Sequence, residues 1–171
     1  MAFVVEDGTG LTTSNAYCTV AFFKTYHDDR GNSTASYSDS QIQRAIVKAT
    51  DYIDNRFRTE LDGYRQNVDQ ALEFPRFSLY YRDGRVAMGI PPEVQKAACE
   101  YGYRALSTDL APDPTYDDTN APIVEREEAV GPIKERFVFA TGGATAAFRK
   151  YPLADRLLRE FTIGGRELRR V

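Results

Sequence analysis

The sequence predicts a mainly α fold, a small helical bundle of three main helices plus a C-terminal helix, with a small β-hairpin element. Three observations support this class. Several segments repeat apolar residues at intervals of three and four, the spacing of one helical face. Proline, serine or aspartate precedes these segments, as is typical of helix starts. Residues 123–139 read instead as two extended runs on either side of Gly131-Pro132.

The first helix is predicted over residues 14–29, after a short extended opening and a turn at Gly8 and Gly10. Ser14 or Asn15 is its expected cap. The second helix is predicted over 40–57, with Ser38 or Asp39 as its cap. Its apolar side is formed by Ile42, Ala45, Ile46, Ala49, Tyr52 and Ile53, and its polar side by Gln41, Arg44, Lys48, Asp51 and Asn55.

The segment that joins the second helix to the central one, residues 59–89, contains glycines, Pro75 and scattered aromatic residues. This composition indicates a structured loop rather than a flexible linker. The central helix of the bundle is predicted within Ile90–Leu110, and Pro91 and Pro92 suit its start. Four small residues would let another helix approach it closely, namely Ala97, Ala98, Gly102 and Ala105. We expect its polar stripe to be solvated, namely Glu93, Lys96, Glu100, Arg104 and Ser107.

The last third of the chain begins with a proline- and aspartate-rich loop over 111–122 and continues with the expected hairpin. A glycine-rich hinge, 141–147, precedes the C-terminal helix, which ends at Gly164-Gly165. The predicted domains are therefore 1–141, a helical domain with the β element, and 142–171, a hinge, helix and basic tail.

Composition and charge exclude several function classes. The 171 residues carry a net charge of −3, so no global basic field attracts nucleic acid or an anionic membrane. No signal peptide and no stretch of ~20 apolar residues is present, which predicts a soluble protein without membrane contact. Cys18 and Cys99 are expected on separate helices as buried thiols, with a disulfide left open.

Charge is unevenly distributed along the chain. Residues 101–128 carry a local charge of −5, and residues 149–171 a local charge of +4. This difference allows head-to-tail pairing of subunits in a ring, or docking on an acidic partner; two solvated ends are the plainer alternative.

Catalytic and metal motifs are weak. His27 beside Asp28 suggests base catalysis, but no nucleophile accompanies it, and a cation at a helix end is plain stabilisation. One histidine and two separated cysteines give zinc few ligands, and the aspartates of 113–118 lack the calcium-loop spacing. The glycines of 6–10 and 141–145 match no phosphate-binding loop. We therefore expect no enzyme activity, cofactor or metal.

Arginines and aromatic residues alternate over residues 56–85, a pattern that suits stacking of single-stranded bases. The arginines are Arg56, Arg58, Arg65, Arg76, Arg82 and Arg85; the aromatic residues are Phe57, Tyr64, Phe74, Phe77, Tyr80 and Tyr81. Five carboxylates in the same stretch oppose them, namely Glu60, Asp62, Asp69, Glu73 and Asp83. We expect ion pairing within the loop, which would leave little charge for nucleic-acid binding.

Five runs together resemble one family over nearly the whole chain. They are VVEDGTGLTTSNAYCTVAFFKTYHDDRG, QIQRAIVKATDYIDNRF with QALEFPR, IPPEVQKAACEYGYRAL, VGPIKERF and YPLADRLLREF. In this order they are similar to the head–tail connector (adaptor, or head-completion) proteins of tailed phages, some of which carry the label DnaT-like single-stranded-DNA-binding. Phe74 stands where the family often has tryptophan, and residues 166–171 extend past the expected end.

The resemblance implies a structural subunit of a virion neck ring, made in the host cytoplasm and commonly dodecameric. Its partners would be the portal protein, a tail-side neck or stopper protein, and double-stranded DNA that passes through the lumen without sequence recognition. The alternative function is single-stranded-DNA binding. Predicted portal contacts are Arg149, Lys150, Leu153, Arg156, Leu157, Phe161, Arg166, Arg169 and Arg170. Predicted lumen or inter-subunit residues are Asp113, Asp117, Asp118, Glu125, Glu127 and Glu128.

Overall fold

Four α-helices and two short antiparallel ribbons make up the described structure. A computed structural model describes residues 2–112, 125–130, 133–138 and 150–163. The helices are α1 (Val20–Asp28), α2 (Asp39–Phe57), α3 (Pro92–Ala105) and α4 (Pro152–Leu158), the last followed by a 3₁₀ turn, Arg159–Phe161. The strands are β1 (Tyr64–Arg65), β2 (Arg76–Phe77), β3 (Glu125–Val130) and β4 (Ile133–Val138). The predicted mainly α class with a small hairpin is confirmed.

Helix α2 forms as the sequence predicts. Ser38 caps it: its Oγ accepts a hydrogen bond from the Gln41 backbone N–H while the Gln41 side chain accepts one from the Ser38 N–H. This capping box satisfies two amide groups that the helix itself cannot. The six predicted apolar residues are buried and the five predicted polar residues are exposed, which confirms the orientation of the helix.

Helix α1 begins later than predicted, at Val20 instead of residue 14, and Thr19 is its cap. The proposed caps serve another purpose. Ser14 donates a hydrogen bond to the buried Glu6 carboxylate (2.7 Å), and Asn15 bonds the backbone of Ala2 and Val4 (2.8 and 2.9 Å). Polar side chains that compete with the helix for backbone groups hold this stretch in a non-helical conformation.

Helix α3 lies at the centre of the bundle and packs against α1, α2 and α4. Gly102 permits its close approach to α1, because a Cβ there would lie 3.0 Å from the Phe23 ring. The expectation of a fully solvated polar stripe is wrong at Glu100, which is 6% exposed. Tyr26 donates a hydrogen bond to Glu100 (2.9 Å) and Arg104 pairs with it (2.9 Å), so burial of this carboxylate is compensated.

The two cysteines are buried and reduced, with their Sγ atoms 3.8 Å apart. Cys99 lies on α3 as predicted, whereas Cys18 lies before α1 because that helix starts at Val20. The preferred prediction of buried thiols is confirmed.

The described residues fall into two units. One contains residues 1–110 and 150–171, and the other contains residues 111–149. In the second unit β3 pairs antiparallel with β4, and Val130 opposite Ile133 leaves two residues between the strands, which confirms the predicted hairpin. The predicted division at residues 141/142 stays a prediction, since residues 139–149 lie outside the described ones. No helix in the described ranges is long and apolar enough to cross a membrane.

Helix α4 packs into the first unit and contributes to its core. Ala154, Leu158 and Phe161 are fully buried. Asp155 joins α4 to α2 and α3: it accepts two hydrogen bonds from Arg56 (2.9 Å each) and one from Tyr101 (2.5 Å). Burial and this hydrogen bond raise the pKa of Tyr101, which keeps it a donor. The last helix is therefore part of the bundle.

Candidate functional site

The loop over residues 59–89 exposes most of the large apolar side chains that the described structure leaves in solvent. Six of the eight belong to it: Tyr64, Val68, Phe77, Tyr80, Val86 and Met88. Tyr64 and Phe77 face each other across the β1–β2 ribbon, with ring centroids 5.6 Å apart and exposed fractions of 67% and 52%. We call these six residues the apolar loop surface. Concentration of exposed apolar area in one segment is typical of an interaction site.

Hydrogen bonds from the Arg76 side chain to backbone carbonyls hold this ribbon in place. The Arg76 guanidinium donates to the carbonyls of Asp62 and Gly63 (2.8 and 2.9 Å), and it pairs with the buried Glu73 carboxylate (2.9 Å). Gly63 has a φ of +70°, and a Cβ at this position would lie 2.5 Å from the Phe77 carbonyl oxygen. The ribbon therefore requires glycine here.

Three arginines of the 56–85 stretch pair with two carboxylates that lie within it. Arg58 and Arg76 both pair with Glu73 (3.0 and 2.9 Å), and Arg85 pairs with Asp83 (2.7 Å). Arg65 donates a hydrogen bond to the Gln70 carbonyl. The predicted pairing within the loop is confirmed for Glu73 and Asp83. Arg56 differs, because its partner is Asp155 on α4.

A buried carboxylate supports the loop from the inside. Asp54 accepts a hydrogen bond from the Tyr17 hydroxyl and another from the Glu73 backbone N–H (3.0 Å). Burial raises the pKa of Asp54 to about 7. Its hydrogen bonds tie α2 to the start of the α1 region and to the loop, so we assign it a structural role.

His27 is a core residue. It is fully buried, its Nε2 lies 3.0 Å from the Cys99 carbonyl oxygen, and its Nδ1 lies 3.3 Å from the Asn32 amide nitrogen. A neutral ring that donates from Nε2 and accepts at Nδ1 satisfies both contacts. Burial lowers the pKa of His27, so it is not the helix-end cation that the sequence suggested.

A groove of about 950 Å³ lies between the end of α2, Arg82 of the loop, and α4. Five basic side chains line it, Arg56, Arg82, Lys150, Arg156 and Arg159, against the acidic Glu60, Asp155 and Glu160. We call it the basic groove. Two backbone hydrogen bonds join the segments on either side of it: the N–H of Asp62 donates to the Phe161 carbonyl and that of Ile163 to the Glu60 carbonyl (2.8 Å each).

The residues predicted from sequence to contact other proteins are found in different places. Lys150, Leu153 and Arg156 are exposed, and Leu157 is half-buried. Phe161 is fully buried against Phe74 and Tyr81, so it is not available on the surface of α4. Arg149, Arg166, Arg169, Arg170, Asp113, Asp117 and Asp118 lie outside the described residues. Glu125, Glu127 and Glu128 lie on β3, opposite Val138, Arg136 and Glu135.

Sequence reasoning missed the basic groove because its residues come from three separated segments. The local charge of +4 over 149–171 was a partial signal. Within the described ranges, no group of three or more histidine, cysteine, aspartate or glutamate side chains could hold a metal ion.

Comparison with known proteins gives one result. No curated protein matches the chain, and no solved structure matches it. One sequence family, described as "Putative DnaT-like ssDNA binding protein", matches residues 1–171. Its match covers both units and every segment described above, and on this ground the chain belongs to that family.

Proposed function

We propose that this protein is a structural subunit of a tailed-phage head–tail connector and that it acts by assembly, without making or breaking bonds. The single observation that carries the proposal is the apolar loop surface beside arginines that are paired with carboxylates. Burial of apolar area drives protein association, whereas a polyanion requires unpaired cations. The ordered resemblance of five sequence runs to connector proteins supports the same assignment.

In this assignment the subunit forms a ring with copies of itself, contacts the portal on one side and a tail-side neck protein on the other, and lets double-stranded DNA pass. Exposed apolar residues on one loop suit a ring interface, since interface cores are rich in tyrosine, phenylalanine and methionine.

Single-stranded-DNA binding is the second candidate, and the family description favours it. The Tyr64–Phe77 pair offers two exposed aromatic faces on which bases could stack. The net charge of −3 and the ion pairs of Arg58 and Arg85 oppose strong binding, whereas the exposed Lys150, Arg156 and Arg159 of the basic groove would favour contact with phosphates.

One variant tests both functions. Tyr64→Ser with Phe77→Ser removes the exposed rings and leaves the buried core intact. We expect the purified protein to join portal particles, measured by mass and by imaging of the neck, and the variant to lose this joining. Ile163→Ser, an exposed apolar residue outside the loop, serves as the control and keeps it.

The same proteins are titrated with a thymidine oligonucleotide. A true single-strand binder loses affinity about 20–50-fold between 50 and 200 mM salt if it contacts three or four phosphates. Joining to portal without oligonucleotide binding supports the connector. Tight, salt-sensitive oligonucleotide binding that the double variant abolishes, together with no joining, contradicts the connector and supports the second candidate.

A further inference from the structure

Three of the cations in the basic groove form no ion pair within the described part of the chain. They are Lys150, Arg156 and Arg159, and all three are exposed. Arg56 differs from them, because Asp155 and Tyr52 accept its hydrogen bonds. With five basic and three acidic side chains, the groove carries a net charge of +2 on a protein whose total charge is −3. The groove therefore favours an acidic ligand.

The chain itself contains a segment of complementary chemistry. Residues 111–122, APDPTYDDTNAP, carry three carboxylates, Asp113, Asp117 and Asp118, and no basic residue. The segment contains three prolines, at 112, 114 and 121, and each fixes one backbone dihedral angle, so the unbound segment has less conformational entropy to lose on binding than a proline-free chain. Arginine is also suited to carboxylates, because its planar guanidinium can donate two parallel hydrogen bonds to one carboxylate.

We propose that the basic groove of one subunit binds the 111–122 segment of a second copy of this chain. Arg156 and Arg159 would pair with Asp117 and Asp118, and Lys150 would add long-range attraction. Such a contact is heterologous, since it uses the groove of one copy and the acidic segment of the next, and contacts of this kind generate rings when the rotation between copies closes. The inference rests on the proposed assembly role and specifies the contact between subunits.

The contact is tested by mixing two variants, each defective on one side. The groove variant carries Lys150→Glu, Arg156→Glu and Arg159→Glu. The acid variant carries Asp113→Lys, Asp117→Lys and Asp118→Lys. We expect each variant alone to stay monomeric at concentrations where the wild type associates, and an equimolar mixture to form heterodimers that do not grow further, because only one functional groove and one functional segment remain.

The control variant is Arg44→Glu with Lys48→Glu, which reverses two charges on the exposed side of α2 and should associate as the wild type does. Circular dichroism checks that all variants are folded. Mass is measured by light scattering in about 50 and 300 mM salt, where screening should weaken the wild-type contact. A mixture that stays monomeric while the wild type associates overturns the inference, as does a groove variant that associates normally.

A peptide measures the contact directly, even where whole subunits associate weakly. A labelled peptide of residues 109–124 is titrated with wild-type protein, and a second peptide carries Asn at 113, 117 and 118. We expect the wild-type peptide to bind about tenfold more tightly than the Asn peptide, and the groove variant to lose this difference. No binding up to about 1 mM protein contradicts the inference.

These experiments distinguish failure of the groove contact from failure of the connector assignment. Lys150 and Arg156 were also predicted to contact the portal, but both pairing experiments are performed without portal. If copies do not pair through the groove and yet join portal particles, the inference fails and the connector assignment stands. If copies pair through the groove but do not join portal, the assignment to the connector fails.

Discussion

At the scale of single residues, buried polar groups in this protein act as structural ties. Glu6 shows the pattern: its carboxylate accepts hydrogen bonds from the backbone N–H groups of Gly8, Gly10 and Leu11 (3.1, 2.8 and 3.0 Å) and from the Ser14 hydroxyl. A buried charge is costly unless such donors surround it. The Glu6 carboxylate therefore fixes the conformation of residues 8–14 through these hydrogen bonds.

Asp54 leads to a prediction about pH. Its pKa is raised to about 7 by burial, above the ordinary value of about 3.9 that it regains on unfolding. Between these values the folded state holds the proton and the unfolded state releases it, so this group's contribution to stability is lost as pH rises from about 4 to 7. Titration of this one group can change the free energy of unfolding by at most about 1.4 kcal/mol per pH unit.

We expect Asp54→Asn to remove this slope, measured as the difference from wild type in urea unfolding free energy at several pH values between 4.5 and 7.5. The comparison between proteins cancels the effect of His27, whose lowered pKa acts in the opposite direction because its stabilising contribution is lost as pH falls. Tyr17→Phe removes a hydrogen bond that lowers the Asp54 pKa, so the loss of stability through Asp54 should extend to higher pH in this variant. Parallel curves for Asp54→Asn and wild type would contradict the assignment.

At the scale of elements, α4 combines apolar packing with one largely buried ion pair. Arg56 and Asp155 keep 15% and 17% of their side chains exposed and share two hydrogen bonds. Removal of one partner from a largely buried pair leaves the other charge without compensation. This pair therefore links α4 to α2, in addition to the apolar packing of α4 against α3.

We expect Asp155→Ala to destabilise the protein by about 2–4 kcal/mol, somewhat below the range for a fully buried pair because water still reaches it. Asp83→Ala, the same change in the exposed Arg85–Asp83 pair, should cost less than about 1 kcal/mol. Both are measured by urea denaturation. The double variant Arg56→Met with Asp155→Ala should be less destabilised than the sum of the single variants. Equal effects at Asp155 and Asp83 would show that the pair does not anchor α4.

At the scale of the whole molecule, the first unit is built from both ends of the chain. The Tyr151 hydroxyl donates a hydrogen bond to the Leu110 carbonyl (3.2 Å). The two chain segments of the first unit, which end at residue 110 and resume at residue 150, therefore lie close together there. The core of this unit includes Tyr151, Ala154, Leu158 and Phe161. A truncation that removes residues 149–171 is thus not a test of surface contacts, because it removes part of the core.

We expect replacement of residues 112–149 by a flexible linker of about six residues to leave the first unit folded, because such a linker spans the gap with little strain. Deletion of residues 150–171 should instead unfold it, since loss of Phe161 alone costs about 3–5 kcal/mol of a total that is commonly 5–15 kcal/mol. Circular dichroism and thermal unfolding measure both. A folded, cooperative protein after deletion of 150–171 would contradict this organisation.

The sequence by itself determined the helical class, the orientation of α2, the hairpin and the position of the central helix. These features depend on periodicity, capping and turn residues, which act over a few positions. Only the tertiary structure decided where α1 begins, why Glu100 is buried, which carboxylate pairs with Arg56, and that α4 completes the bundle and borders a basic groove. These depend on contacts between residues far apart in the chain, such as Arg56 and Asp155, and the free energy of such contacts leaves no local pattern in the sequence.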